Sequence, residues 1–369
     1  MLLSIRDFHV LKLLRFCRYI RQDDLVALFS SAELSHLQGC GFIAHHTASG
    51  SMVLTAKGQT FLDAHCLSLP PAISPSYHPS DIQRRLRLSS LLCTAYKAGL
   101  SVFLSDPQFL TSRAGVFLSA TTRGRGINHW GSSRIAGLSL LDGTLYGIHY
   151  VCPNIGDMAL SDEVAIFARH PQLYQVGKPA FLFAAPSYEA LLGELFKPLP
   201  SKINRLVPYS VAYAKSTIPI HLMTCDAVGA LQLSILRAPD HRSLLAWITL
   251  ASHYAPPPLT LDCDALYNGQ PFYVAVDMDL KRLDRGATEG FIHIVALESQ
   301  VSNVLHSRYE ATQKGKVYKL TDSALEQFFE TVGPKQWVED GAYINDKGEV
   351  VYAPPIKFTE KPSRSGGKK

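Results

Sequence analysis

The sequence predicts an α+β chain: a small helical N-terminal domain closed by a hairpin, then a larger mixed α/β body. Residues 5–65 pass from helical periodicity to one hairpin pattern and back to a capped helix, whereas the chain beyond about residue 100 interleaves short apolar runs with helical ones. At 369 residues the chain exceeds one ordinary core, and 47% hydrophobic against 18% charged residues is the composition of a folded protein.

The first element, "IRDFHVLKLLRFCRYI" (5–20), sets Val10, Leu11, Leu14 and Cys17 at helical spacing with Arg6, Lys12, Arg15 and Arg18 largely elsewhere, so it reads as an amphipathic helix. "QDDLVALF" places Asp23 and Asp24 in a first turn, where negative charge suits the helix dipole. Ser30 and Glu33 have the spacing of a capping box and start a third helix through about Gln38, stopped by Gly39 and Gly41. "FIAHH" and "SMVL" are short strands joined by "TASG", and Thr55 caps the helix that follows. Helices, hairpin and closing helix in this order make a winged helix-turn-helix over 1–68. Its DNA-contacting candidates are Arg21, then Ser31, Ser35 and His36 on the third helix, and His45 and His46 on the wing. Metal binding by these histidines is disfavoured, because adjacent strand residues point to opposite faces.

A Pro-rich linker is expected over 69–80, and a mixed α/β domain over 81–356. The domain opens with a helix from Ser80 or Asp81 to Gly99, whose first turns carry Arg84, Arg85 and Arg87 as phosphate-binding candidates or as a solvated face. A strand is expected at 100–104. Residues 111–134 combine Arg113, Arg123, Arg125 and Arg134 with His129, Trp130 and four glycines and contain no acid. Such a loop suits phosphate contact and base stacking; the bland alternative is a solvated loop with Trp130 packed on its own domain. Asp142-Gly143 sits between alternating apolar runs and predicts a hairpin. "PAFLFAA" reads as a strand and "SYEALLGELF" as a helix. Strands are expected near 219–224, 231–236, 272–280 and 291–297, helices at 298–309 and 322–331, and a last hairpin in "AYINDKGEVVYA". The basic tail 357–369 is expected to be disordered.

The net charge of +5 is uneven: residues 1–99 carry +4, 100–141 carry +3 and 357–369 carry +4, whereas 142–356 carry −6. Positive charge at the two ends of the chain suits a polyanionic partner. Seven scattered cysteines without a C-x-x-C pair argue for reduced thiols in a cytoplasmic protein and against a zinc site. Neither a membrane span nor a signal peptide is read, so no membrane partner is expected.

On "IRDFHVLKLLRFCRYIRQDDLVALF", "GFI…VLTAKGQTFL" and "QRRLRLSSLLCTAYKAGL", the first hundred residues resemble the replication-relaxation family of plasmids and integrative conjugative elements. The resemblance implies a DNA-binding module joined to an α/β domain, in a protein accompanying DNA processing or replication control. Two departures stand out. The helix before Gly41 is short, and its face offers Ser31, Glu33, Ser35, His36 and Gln38 but no Arg or Lys, which most often read base edges. Secondly, for the body, a degenerate restriction-endonuclease-like fold is the specific candidate. A working site of that kind needs two or three carboxylates and a Lys on adjacent strands. Asp142 is followed by no Glu-x-Lys in "TLYGIHYVC", and Asp277, Asp279 and Lys281 supply the one arrangement of the right general look, otherwise read as a solvated strand end.

The function expected is therefore a non-catalytic DNA-binding accessory or regulatory protein of a mobile element, without a cofactor. Double-stranded DNA is its partner, with a relaxase or replication protein, or a second copy of the chain, as protein partners. The alternatives are a metal-dependent nuclease and a winged-helix protein-interaction adaptor.

Overall fold

The computed structural model describes residues 2–66, 78–104, 106–122, 130–152, 159–201, 207–332, 342–344, 350–352 and 356–357. It is an α+β structure of two compact units, one made of 1–89 with 337–369 and the other of 90–336.

The first unit begins with β1 (Leu2–Leu3) and α1 (Ile5–Cys17), where Ser4 and Asp7 form a capping box. β2 (Ile20–Arg21) and the single-turn α2 (Gln22–Val26) follow. α3 (Ser31–Gly39) starts at Ser30, whose hydroxyl accepts from the Glu33 amide while Glu33 reaches back to the Ser30 N–H. The hairpin of β3 (Ile43–His46) and β4 (Ser51–Leu54) leads through a Thr55 cap into α4 (Ala56–His65). β4 lies in the middle of an antiparallel sheet ordered β2-β4-β3, with Ile20 opposite Met52 and Ile43 opposite Leu54. α1 packs on α3, α4 and β4. It is not amphipathic in place: Lys12 and Arg15 are each only 7% exposed, beside Leu13, Leu14 and Phe16. Arg15 is sustained there by Asp63 at 2.9 Å.

α5 (Pro79–Lys97) runs through the boundary at Ser89. Its first turns go with the first unit because Ile82 and Leu86 pack with Tyr19 and Val53. The expected 81–356 domain is thus divided differently, and the expected linker lies mostly outside the described residues.

The second unit holds two sheets. In the larger, β5 (Val116–Leu118), β6 (Gly137–Leu141) and β7 (Thr144–Tyr150) form an antiparallel meander. After α6 (Leu160–Ala168) and α7 (Pro171–Val176), β8 (Lys178–Ala185) joins β7 in parallel. α8 (Tyr188–Leu195) and α9 (Tyr209–Lys215) lead to β9 (Ile220–Thr224), parallel to β8, so that sheet order follows chain order. The tight β6–β7 turn puts Asp142 at φ 41° and Gly143 at φ 66°, the left-handed pair that such a hairpin requires.

α10 (Ala227–Leu236) and α11 (His241–Leu250) precede the smaller sheet. β10 (Ala265–Tyr267) and β11 (Gln270–Val274) are antiparallel; α12 (Leu280–Glu289) connects β11 to a parallel β12 (Ile292–Ala296). The short α13 (Glu298–Gln300) widens into a π-helical segment, Val301–Glu310, before β13 (Gly315–Lys319) pairs in parallel with β12, and α14 (Asp322–Val332) follows. β13 is therefore an edge strand of this sheet. One core takes in Phe181, Phe183, Tyr188, Ile292 and Ile294; another, on the opposite side of β12, takes in Leu245, Phe272, Val295 and Phe328. Back in the first unit, β14 (Ala342–Ile344) pairs with β15 (Val350–Tyr352), and β16 (Ile356–Lys357) pairs with β1. The rest of the tail lies outside the described residues.

Three expectations are corrected. Residues 231–236 are helix, not strand: Asp226 accepts from the Val228 and Gly229 amides, and Gln232 in the middle of the apolar run is fully buried, its amide donating to the Leu222 carbonyl at 2.8 Å. A Cβ at Gly229 would come within 1.7 Å of the Thr224 carbonyl oxygen, so this close helix-to-strand approach requires glycine. Residues 100–104 form only an isolated bridge, Ser101 to Gly115. The expected strand 272–280 stops at Val274, and the chain then turns through Met278 at φ 56° into α12. The described cysteines form no disulfide, and no helix among the described residues is long and apolar enough to cross a membrane.

Candidate functional site

On the first unit, Ser31, Ser35 and His36 lie together on the exposed face of α3, with Gln38 beside them. Glu33 is drawn away from that face by its capping bonds and by Arg6 Nε at 2.6 Å. Those bonds and Arg6 hold the Glu33 carboxyl below its ordinary range despite the opposing effect of burial. Arg21 is exposed on β2, opposite Ser51. The two histidines of β3 part company as strand alternation demands: His45 is exposed, whereas His46 packs edge-on against Tyr19 and its Nδ1 sits 2.7 Å from the Ser49 hydroxyl. Arg84 is exposed, 3.5 Å from Asp81, while Arg85 and Arg87 are half-buried. The exposed Lys57 on α4, its Nζ 5.4 Å from the Phe42 ring centre, adds a cation to this unit that reading the hairpin alone did not single out.

In the second unit the 111–134 segment does not offer its tryptophan. Trp130 is 2% exposed, stacks on Phe117 at 5.6 Å, and donates from Nε1 to Thr122. Its apolar area belongs to the core, so it presents no face to a base. Arg134 is exposed, with its backbone N–H donating to Glu163 at 2.9 Å. Arg123 and Arg125 lie outside the described residues. Glu163, 1% exposed, also accepts from the Ser133 hydroxyl at 2.6 Å. His149 on β7 is 3.5 Å from it, and neither ring nitrogen has a hydrogen-bond partner among the described residues. Burial pushes the His149 imidazole down to about 3.

The aspartates after β11 are not a solvated strand end. Asp277 and Asp279 are 3% and 7% exposed. Burial alone would raise the Asp277 carboxyl, but Arg242 bonds to it directly and, with His221 and Arg282 nearby, holds it well below the usual carboxylate range. Asp279 caps α12, accepting from the Arg282 amide at 3.1 Å. Burial raises its carboxyl, and the charge of Asp277 adds to this against the pull of His221. His221 Nε2 stands 4.0 Å from Asp279, and its Nδ1 is 3.0 Å from the Tyr146 hydroxyl. That spacing would suit an ion pair. Yet burial lowers the imidazole as it raises the carboxyl, and both shifts favour uncharged partners.

A second carboxylate is neutralised in the same way. Arg282 meets Asp264 through two bonds of 2.8 and 3.1 Å, and its Nε donates to Asp262. Lys281 turns to the Ser216 carbonyl at 2.9 Å and lies 5.2 Å from the Tyr213 ring centre. Asp142 accepts from the Asp240 amide. Among the described residues no group of three or more His, Cys, Asp or Glu is arranged to hold a metal ion. The arginines were the residues the sequence left unremarked, because nothing local marks Arg242 or Arg282 as the partner of Asp277 or Asp264.

Comparison with protein-family models, with curated proteins and with solved structures gives no match for this chain.

Proposed function

We propose that the chain is a non-catalytic DNA-binding accessory or regulatory protein whose N-terminal unit is a winged helix-turn-helix. The observation that carries this reading is the topology of that unit: α1, β2, α2, a capped α3, then a hairpin, with the strands ordered β2-β4-β3. This leaves α3 exposed beside a wing, with Arg21 and Lys57 among the exposed residues of the same unit. The setting on a plasmid or conjugative element rests on the resemblance of the first hundred residues alone. Assembly with itself or with a relaxase or replication protein is the role assigned to the body. For that body, α5 followed by an antiparallel meander, α6 and a parallel β8, in a sheet ordered as in sequence, supports the degenerate restriction-endonuclease-like reading.

Binding should rest on a few phosphate contacts. With about three of them, affinity for a short duplex falls roughly forty-fold over a four-fold rise in salt. Arg21→Ala with Lys57→Ala should flatten that slope by about two contacts. Fluorescence anisotropy of the full chain across a salt series checks both, and a salt-independent affinity would sink the reading. The absence of Lys and Arg from the α3 face favours one second reading, a protein-interaction adaptor, for which duplex binding would be missing at every salt concentration.

The non-catalytic part is supported by the commitment of Asp277 to Arg242 and of Asp264 to Arg282, which leaves these carboxylates little capacity to hold a metal. Supercoiled plasmid with magnesium or manganese is expected to stay intact with the full chain. Cleavage that disappears in Asp277→Ala/Asp279→Ala protein would establish the nuclease alternative instead.

A further inference from the structure

One face of the smaller sheet gathers aromatic residues where its parallel strands begin. Tyr267 is paired with Gln270, Phe272 with His293, and His293 with Lys316. Paired residues project to the same side and alternate along a strand, so Tyr267, Gln270, Phe291, His293, Lys316 and Tyr318 share one face. Farther along that face Phe272 and Val295 are buried with Leu245 of α11 and Phe328 of α14. At the strand starts Phe291 is 42% exposed, Tyr267 and Tyr318 are half-buried, and Lys314 and Lys316 are exposed.

His293 organises the group. Its ring lies 5.0 Å from Tyr267 and 5.6 Å from Phe291, edge to face in both cases, and is stacked 5.8 Å from Tyr318. Its Nδ1 is 3.0 Å from the Tyr318 hydroxyl and its Nε2 is 2.8 Å from Gln270 Oε1, so the imidazole is held at both nitrogens. The rings around it are therefore set before any ligand arrives. Lys316 Nζ lies 5.5 Å from the Tyr318 ring centre. Glu310, an acid within electrostatic reach of Tyr318, is turned to His306 at 3.1 Å.

We propose that this shelf binds single-stranded nucleic acid, with unpaired bases stacking on Phe291, Tyr318 and Tyr267 and with phosphates met by Lys314 and Lys316. Every base offers a π-face, so a row of fixed aromatic rings takes a strand without regard to sequence, and ammonium groups beside them supply the charge complement. Charge is what favours a polyanion over an apolar protein segment: Lys314 and Lys316 are exposed beside the rings, and none of the residues named on this face is acidic. The proposal does not depend on duplex binding by the N-terminal unit.

The test is anisotropy of a labelled oligothymidylate of about twelve nucleotides with the full chain. The wild type should bind it. Phe291→Leu, which keeps apolar volume but removes the ring, should weaken binding about ten-fold, whereas Phe291→Trp should retain it. The Arg21→Ala/Lys57→Ala protein should bind the single strand as the wild type does, so failure of the wing and failure of the shelf are told apart. Absence of binding, or affinity indifferent to Phe291→Leu, overturns the proposal. Equal thermal midpoints for the Phe291 variants keep misfolding from imitating a loss.

Discussion

Replacing Arg282 by Met is expected to destabilise the second unit by about 3–5 kcal/mol, because it strands a buried carboxylate rather than merely deleting a contact. Arg282 is 6% exposed and Asp264 is 8% exposed, and the guanidinium engages both Asp264 oxygens. Removing the cation leaves Asp264 with the Val274 amide, at 2.7 Å, as a remaining donor. The Asp262 bond adds little, since that carboxylate is 64% exposed and its loss is screened by water. Adding Asp264→Asn to Arg282→Met should recover most of the loss, because Asn keeps the bond from Val274 without the charge. Chemical denaturation of the single and double variants reads the coupling. If the double variant is as unstable as the single, the stranded charge is not the cause.

Acid should weaken the fold through His149. Its folded imidazole titrates at about 3, against about 6.5 in an unfolded chain, because it is buried among Phe181, Phe183 and Tyr209. The unfolded chain takes up this proton first. The contribution of neutral His149 is therefore complete above about pH 6.5 and is lost as pH falls toward 3, on the order of 2–3 kcal/mol by about pH 4.5. Glu163 at 3.5 Å gives limited relief, since its oxygens already accept from Ser133 and Arg134. His149→Leu should remove this part of the pH dependence, so its denaturation midpoint should fall less steeply between pH 6.5 and 4.5. Parallel curves for the two proteins would refute the assignment.

These two residues mark where sequence reading stopped. The cap at Ser30, the cap at Thr55 and the turn at Asp142-Gly143 were legible because each is made by residues within a few positions of one another. The expected strand at 231–236 failed for another reason. An apolar run that is buried on every side has no periodicity to separate strand from helix, and the deciding contact is the Asp226 cap that precedes it. Helical spacing sets Lys12 and Arg15 apart from the apolar stripe of α1, yet both are buried; of the two readings of Trp130, a stacking face or packing on its own domain, the second holds.

By itself the sequence determined the succession of helices, hairpin and capped helix within residues 5–65, the absence of Lys and Arg from the face of α3 and the Asp142-Gly143 hairpin of the body's larger sheet, because side-chain period and capping act over a few residues; the strands β1, β2 and β16 that complete the first unit's sheets carry no such local mark. Only the tertiary structure decided what the acids and aromatics of the body do. Asp264 meets Arg282 across 18 positions, Asp277 meets Arg242 across 35, and His221 meets Tyr146 across 75. A buried charge is tolerated only with its partner, and sheet register sets Phe291, His293 and Tyr318 on one face; both depend on contacts between segments that sequence spacing does not encode.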